Sequence, residues 1–332
     1  NPDGVHEPSE IVDASAYAWR DGDWRGRPFH DAVIYELHVG TFTPQGTYAA
    51  AAERLDYLVS LGVTVIELMP LAATPRRWNW GYDGVLPFAP HAPYGRPEDP
   101  KRFVDAAHER GLMVLLDVVY NHFGPEGNYL AHYAQPFFTA RHQTPWGDGI
   151  NFDDRSSEVV RQFFIHNALY WLEEYHFDGL RLDAVHAIID DSDPSFLREL
   201  AAAVHAVPSQ RALHLVLEND RNEAELLARD ATRRPLVYTA QWNDDFHHAL
   251  YVLLTGETRG HYVDYAEPGA QLLRSLREGF AYQGEHSLHR KAARGSVSAG
   301  LPPEAFVNFL QNHDQIGNRP DAARMSALLE QS

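Results

Sequence analysis

No cysteine occurs anywhere in this chain, so disulfides and thiolate metal sites are excluded and stability must come from packing and hydrogen bonds. Basic residues are scarce, with 28 Lys and Arg against 46 Asp and Glu and a formal net charge of −18. Such a chain lacks the basic footprint that phosphate recognition needs, so no nucleic acid and no anionic membrane surface is expected as a partner. No apolar run approaches the roughly 18 residues of a membrane span. The start, Asn1-Pro2-Asp3-Gly4, lacks the basic-then-apolar order of a secretory signal; the expected location is cytoplasmic. Fixed-period repeats and low-complexity tracts are missing too. What is present is ample material for a core, 44% hydrophobic residues with 12% aromatics.

Residues 1–30 are polar and turn-rich, and are expected to be a linker from a module upstream. Seven apolar runs then read as strands: 32–39, 63–70, 114–119, 178–186, 213–218, 236–242 and 306–311. Between them lie helical patterns. One places Ala51, Leu55, Leu58 and Val59 on a single face and stops at Gly62; another has Asp99 as N-cap, Pro100 at its first position and Gly111 beyond its end. A third, capped by Ser156 or Ser157, shows the face Val160, Phe163, Phe164, Asn167, Ala168, Trp171 and Tyr175. Others are expected over 194–207 and from Pro320. A loop excursion over 120–155 follows the third strand, too long for a plain connection. Strands alternating with helices imply a parallel sheet, and seven of them point to an α/β fold of the (β/α)8 TIM-barrel type, stopping before the eighth strand. The expected organisation is a linker over 1–30 and a catalytic barrel over 31–332, with its C-terminal part missing.

Chemistry gathers at four strand ends: Asp117/Asn121/His122, Arg181/Asp183/His186, Glu218/Asn219/Asp220 and His313/Asp314. In a parallel barrel the carboxyl ends of the strands form the active site. Paired carboxyl groups there suit glycosidic cleavage, one as acid and one as nucleophile. Trp78, Trp80, Tyr82, Trp146 and Trp242 stand nearby for stacking on sugar rings or for packing at the rim. A metal-dependent hydrolase is the alternative, but near the first strand end only Glu36 and His38 are found, with no His-x-His. A non-catalytic binding module has no use for an acid on each of several strands.

These residues resemble the α-amylase family of glycoside hydrolases. The resemblance rests on Asp117-Val118-Val119-Tyr120-Asn121-His122, Gly179-Leu180-Arg181-Leu182-Asp183-Ala184-Val185-His186, Glu218 and Asn312-His313-Asp314, in order, and spans roughly residues 32–320. It implies a retaining mechanism with Asp183 as nucleophile, Glu218 as acid/base and Asp314 as the carboxylate that grips sugar hydroxyls. Tyr82, His122, Arg181 and His313 match positions lining the subsite of the attacked sugar, while Asp117 and Asn121 match more structural ones. Asn121 also matches a calcium-ligand position of some members, but no full oxygen cage accompanies it, so no metal and no cofactor is assigned.

The neighbours Leu217-Glu218-Asn219-Asp220-Arg221-Asn222, Ala240–His248 and Phe309–Arg319 resemble the subgroup that releases trehalose from maltooligosyltrehalose. Pro2-Asp3-Gly4-Val5-His6 resembles the tail of that subgroup's N-terminal β-sandwich. The implied substrates are maltooligosyltrehalose and related α-glucans, with glycogen branching enzyme or another hydrolase of the family as the alternative. His186, Asn219, Trp242 and Asp245 are the expected contacts to the departing trehalose, with Asp220 also expected to face it and Asp244 the other choice beside Trp242. Glu218 is expected to have a raised pKa and Asp183 to be kept ionised by Arg181.

Overall fold

A computed structural model describes residues 4–319 and 322–329. The chain divides into two compact units, residues 1–215 and 216–332.

In the first unit β1 (Ile34–Leu37), β2 (Val65–Leu68), β3 (Met113–Val118) and β4 (Gly179–Leu182) lie side by side, all parallel. Val65, Ile66 and Leu68 of β2 and Met113 to Leu116 of β3 are wholly buried. Parallel strands are covered on both faces, which is why they read as unbroken apolar runs rather than alternating ones. Asp117 stands in register with Arg181, so the two charges of the run face each other from adjacent strands. Strand β5 (His214–Leu217) starts in this unit, where His214 N donates to Asp178 O at 2.9 Å. A Cβ on Gly179 would stand 2.0 Å from His214 O, so this approach of backbones requires glycine.

The helices follow the apolar faces with local differences. The first pattern is broken at Glu53-Arg54 into α1 (Tyr48–Ala52) and α2 (Leu55–Ser60). Val59 points outward at 41% exposure, while Ala51, Leu55 and Leu58 are buried. Helix α3 (Glu98–His108) starts just before Asp99, with Pro97 as its cap residue; Asp99 sits in the first turn and accepts from Arg96 N at 2.7 Å. Helix α4 (Ser157–Glu174) buries Val160, Phe164, Asn167, Ala168 and Trp171, yet Ser156, at φ +66°, makes no side-chain cap. Helix α5 (Phe196–His205) precedes β5. Within the excursion after β3, Phe138–Thr144 and Gly147–Ile150 pair as an antiparallel ribbon.

The stretch before β1 is no free tether over residues 17–30. Trp24 Nε1 donates to Asp178 Oδ1 at 2.7 Å, and Trp19 stacks on His176 with centroids 3.7 Å apart. His108 bridges Asp21 (3.0 Å) and Asp178 (2.9 Å). With a carboxylate on each ring nitrogen both nitrogens donate, so His108 is an imidazolium here; although its burial opposes charge, the two carboxylates raise its pKa. Residues 1–3, including the first two of the stretch likened to a β-sandwich tail, lie outside the described residues.

In the second unit the end of β5 pairs with β6 (Ala240–Trp242), and β6 pairs with β7 (Phe306–Val307), again parallel. Both last strands are shorter than the sequence suggests. Leu236 is 57% exposed and its N–H bonds to Ala228 O in a local turn, which delays β6 to Ala240. Beyond Val307 the ladder ends: Leu310 is 59% exposed, and the Asn308 side chain accepts from Asn243 Nδ2 at 2.9 Å. Helix α6 (Asp244–Thr255) follows β6, with the Asn243 side chain capping Phe246 N and Gly256 closing it at φ +71°. Helix α7 (Pro268–Glu278) packs on α6. The short helix α8 (His313–Gly317) carries a capping box from Asn312 and Gln315. Pro320 lies outside the described residues; the final helix, α9, is Met325–Leu329.

The seven parallel strands and intervening helices are of the (β/α)8 barrel class, and the described residues contain no eighth strand. Among them no helix is long and apolar enough to cross a membrane.

Candidate active site

In the first unit β3 and β4 end on one buried ionic cluster. Arg181 Nη1 donates to Asp117 Oδ1 and Oδ2 (3.0 and 2.9 Å) and to Asp183 Oδ1 (2.9 Å). Arg181 is fully buried, Asp117 is 1% exposed and Asp183 8%. One guanidinium thus offsets the desolvation of two carboxylates, which would otherwise cost several kcal/mol each. Tyr82 adds a donor, its hydroxyl 2.7 Å from Asp117 Oδ2. Burial holds that phenol well above its ordinary pKa of 10, with Asp117 adding to the effect, so it stays a donor.

His122 places Nε2 at 2.9 Å from Tyr82 O and stacks on Trp146, centroids 4.2 Å apart and planes within 7°. Burial lowers its pKa below 6.5; the ring is neutral at pH 7, Nε2–H donates, and Nδ1 carries a lone pair with no hydrogen-bond partner. Ala184, next after Asp183, sits at φ +40° and ψ +48°, a left-handed conformation costing a non-glycine residue about 1–2 kcal/mol. It turns the chain sharply behind Asp183, and His186 then stands half-buried in the single turn Val185–Ala187. Asn121 is 3% exposed, and neither amide atom has a hydrogen-bond partner.

One trio in the excursion, His142, Asp153 and Asp191, has ligand-type atoms within 4.8 Å of one another. Arg141 already supplies the countercharge, at 2.8 Å from Asp191 and 3.5 Å from Asp153.

In the second unit Glu218 follows directly on β5 and is half-buried. Asp314, in the first turn of α8, keeps 39% of its side chain exposed and lies 3.6 Å from His313 Nε2. In the first turn of α6 stand two adjacent acids with different surroundings. Asp245 is wholly buried: Oδ1 receives Tyr265 OH (2.6 Å) and Arg294 Nη1 (2.7 Å), and Oδ2 receives Asn222 Nδ2, Ala281 N and Tyr282 N (3.0, 2.8 and 2.9 Å). Asp244 is half-buried, and the described residues offer its carboxyl no hydrogen-bond partner. Its pKa is pushed up to about 8, first by burial and next by Glu218; Asp314 and Asp245 add to this and Arg294 opposes it. Asp244 therefore holds its proton at neutral pH.

Three expected substrate contacts are engaged elsewhere. Asp245, with five donors on its two oxygens, is an anchor and has no lone pair directed at a ligand. Trp242 is 4% exposed, packed near Phe309 and His313 with centroids 5.6 and 6.0 Å away, so no ring face is open for stacking. Asn219 is 1% exposed; its Nδ2 donates to Glu223 and its Oδ1 accepts from Arg221 N.

Sequence reasoning missed Arg294 altogether. It comes from the segment after Ala292–Ala293, which pairs with His286–Ser287 over two residues only. So short a ribbon has no periodicity to read.

A family model described as "Alpha amylase, catalytic domain" matches residues 16–149. A protein of Deinococcus radiodurans named "Malto-oligosyltrehalose trehalohydrolase" is 47% identical over 327 residues, which is 98% of this chain and 52% of that protein. A "1,4-alpha-glucan branching enzyme GlgB" of Leifsonia xyli is 41% identical over 193 residues, 54% of this chain and 26% of its own length. The crystal structure of a "Putative alpha Amylase from Salmonella typhimurium" superposes with a TM-score of 0.95 at 50% identity, covering 98% of this chain and 56% of that one. This chain spans about half the length of the trehalohydrolases it matches.

Proposed function

Because this chain belongs to the α-amylase family of glycoside hydrolases, we propose that it is the catalytic part of a retaining enzyme that hydrolyses the α-1,4 bond next to the terminal trehalose of maltooligosyltrehalose. The observation that carries this reading is the 47% identity with a protein named for that activity over 98% of the chain. The match to a branching enzyme reaches 54% of it.

In the proposed reaction the Asp183 carboxylate attacks the anomeric carbon while the Glu218 carboxyl protonates the glycosidic oxygen. The C–O bond breaks, trehalose departs and a glycosyl ester on Asp183 remains. Glu218, now a carboxylate, takes a proton from water, whose oxygen displaces Asp183 and releases the maltooligosaccharide. Arg181 supports this chemistry as the countercharge held 2.9 Å from Asp183. Asp314, with His313, is assigned to the sugar hydroxyls of the attacked residue, and Tyr82 and the neutral His122 to the same subsite. On the departing side the reading keeps His186 and replaces Asp245 by Asp244, whose neutral carboxyl can donate one hydrogen bond and accept another from a sugar hydroxyl.

Incubation with maltooligosyltrehalose and, separately, with a plain maltooligosaccharide, followed by chromatography of the products, tests the proposal. Free trehalose from the first substrate is the expected result. New α-1,6 branches, or equal cleavage of internal bonds in both substrates, would overturn it.

A further inference from the structure

The residues just after Glu218 form no regular element, yet each one is held. Gln241 Nε2 donates to Asn219 O (2.9 Å) and to Asn222 Oδ1 (3.1 Å). Asn222 O accepts from Ser296 N (3.1 Å) and Ser296 Oγ (3.2 Å). Between them Asp220 is taken by arginine: Arg294 Nε donates to its carbonyl at 2.9 Å, Arg294 Nη2 lies 3.5 Å from its carboxylate, and Arg290 pairs with the same carboxylate. The other arm of Arg294, Nη1, donates to Asp245 Oδ1 (2.7 Å) and Tyr265 OH (3.0 Å).

One guanidinium, 4% exposed, therefore ties the loop behind Glu218 to the first turn of α6. The backbone is shaped to deliver it. Gly295 sits at φ +83°, and a Cβ there would lie 1.9 Å from Tyr282 O, so only glycine lets the chain bring Arg294 this far in. For stability alone such a device is a poor choice, because apolar residues of similar volume often replace a buried ion pair at no cost. Fixing a carboxyl to within a fraction of an ångström of a reacting oxygen is a better reason for it.

We propose that Arg294 is a positioning residue for the acid/base: by holding Asp220 and Asp245 at once, it fixes the Asn219–Asn222 loop so that the Glu218 carboxyl meets the glycosidic oxygen. This rests on the reading of Glu218 as proton donor. Arg294 touches neither substrate nor reacting atoms; it acts through the loop.

The test uses two substrates that differ in their need for a proton. Maltooligosyltrehalose has a poor leaving group, for which acid assistance is worth about 10²–10⁴ in rate; α-maltotriosyl fluoride loses fluoride with little assistance. Arg294→Met is expected to lower kcat/KM, which reports the glycosylation step alone, by about 30-fold or more on the first and by less than about threefold on the fluoride. Arg294→Lys, which keeps the buried charge, should fall between and carries the comparison if the Met variant does not fold. Equal losses on both substrates overturn the proposal.

If the wild type cleaves the fluoride and maltooligosaccharides but releases no trehalose, the trehalose reading fails alone, and the Arg294 comparison is made with the maltooligosaccharide. Hydrogen exchange gives a readout independent of turnover: amides of residues 219–224 should exchange about tenfold faster in the variant, while β5 stays protected. Unchanged protection of that segment overturns the proposal as well.

Discussion

Replacing Asp244 by Asn separates what this carboxyl does for the fold from what it does for a ligand. Its pKa stands at about 8 against 3.8 for an ordinary aspartate. The unfolded chain therefore gives up this proton near pH 4 and the folded chain only near pH 8. Between those limits the folded state binds more protons, so stability falls as pH rises from about 4 to about 8 and is level beyond. A shift of about four units corresponds to at most ~5–6 kcal/mol; because the group is half-buried and partly wetted, about 2–3 kcal/mol is the reasonable share. Asparagine, isosteric with the neutral acid, carries no such penalty.

Asp244→Asn should therefore raise stability at pH 8 by that amount and change nothing at pH 4. With an unfolding entropy of about 2.1 cal/mol/K per residue, 332 residues turn it into a gain of about 3–4 °C in Tm at pH 8. Scanning calorimetry of both proteins at pH 4, 6 and 8 measures this directly. The variant should meanwhile keep the neutral amide's hydrogen bonding and lack the alkaline fall in kcat/KM near pH 8 that ionisation of Asp244 is expected to cause in the wild type. An equal Tm change at pH 4 and pH 8, or none at either, would refute the reasoning.

Asp183→Asn should abolish turnover while leaving the melting profile near that of the wild type, and a slow fluorinated donor should leave its sugar on Asp183 in peptide mass spectra; a label on another residue removes it as nucleophile. Trp242→Ala should cost about 3–5 kcal/mol of stability, as expected of a buried indole. Its kcat/KM should fall equally on maltooligosyltrehalose and on the matching maltooligosaccharide, whereas a selective loss on the former would show that the ring reads trehalose after all. His108→Asn should destabilise most near pH 5. The raised pKa of His108 gives stability that is full below 6.5 and lost as pH rises through the folded value; the lowered pKa of Asp21 gives stability lost as pH falls below about 3.8. Urea melts across pH 4–9 that show a constant difference would contradict this.

What the sequence alone determined is the plan of the molecule. Unbroken apolar runs separated by amphipathic stretches place parallel strands under helices, because only strands covered on both faces carry such runs. All seven strands expected from the pattern exist, in one parallel sheet. Periodicity is a local property, and it was enough for this.

What only the tertiary structure decided concerns side chains whose partners come from distant sequence. Asp244 and Asp245 are neighbours of one kind, but a helix start turns them apart. Asp245 receives five donors from residues 222, 265, 281, 282 and 294, and Asp244 receives none. Nothing within a few residues of either distinguishes them. Trp242 looked equally able to stack or to pack, and burial against Phe309 and His313 settled it as packing. Residues 17–30, polar and without period, read as a tether, yet Trp24, Asp21 and Trp19 dock onto Asp178, His108 and His176. Burial is the sum of contacts made across the whole fold, so a chain met as sequence shows which residues can do chemistry, and packing decides which are left exposed to do it.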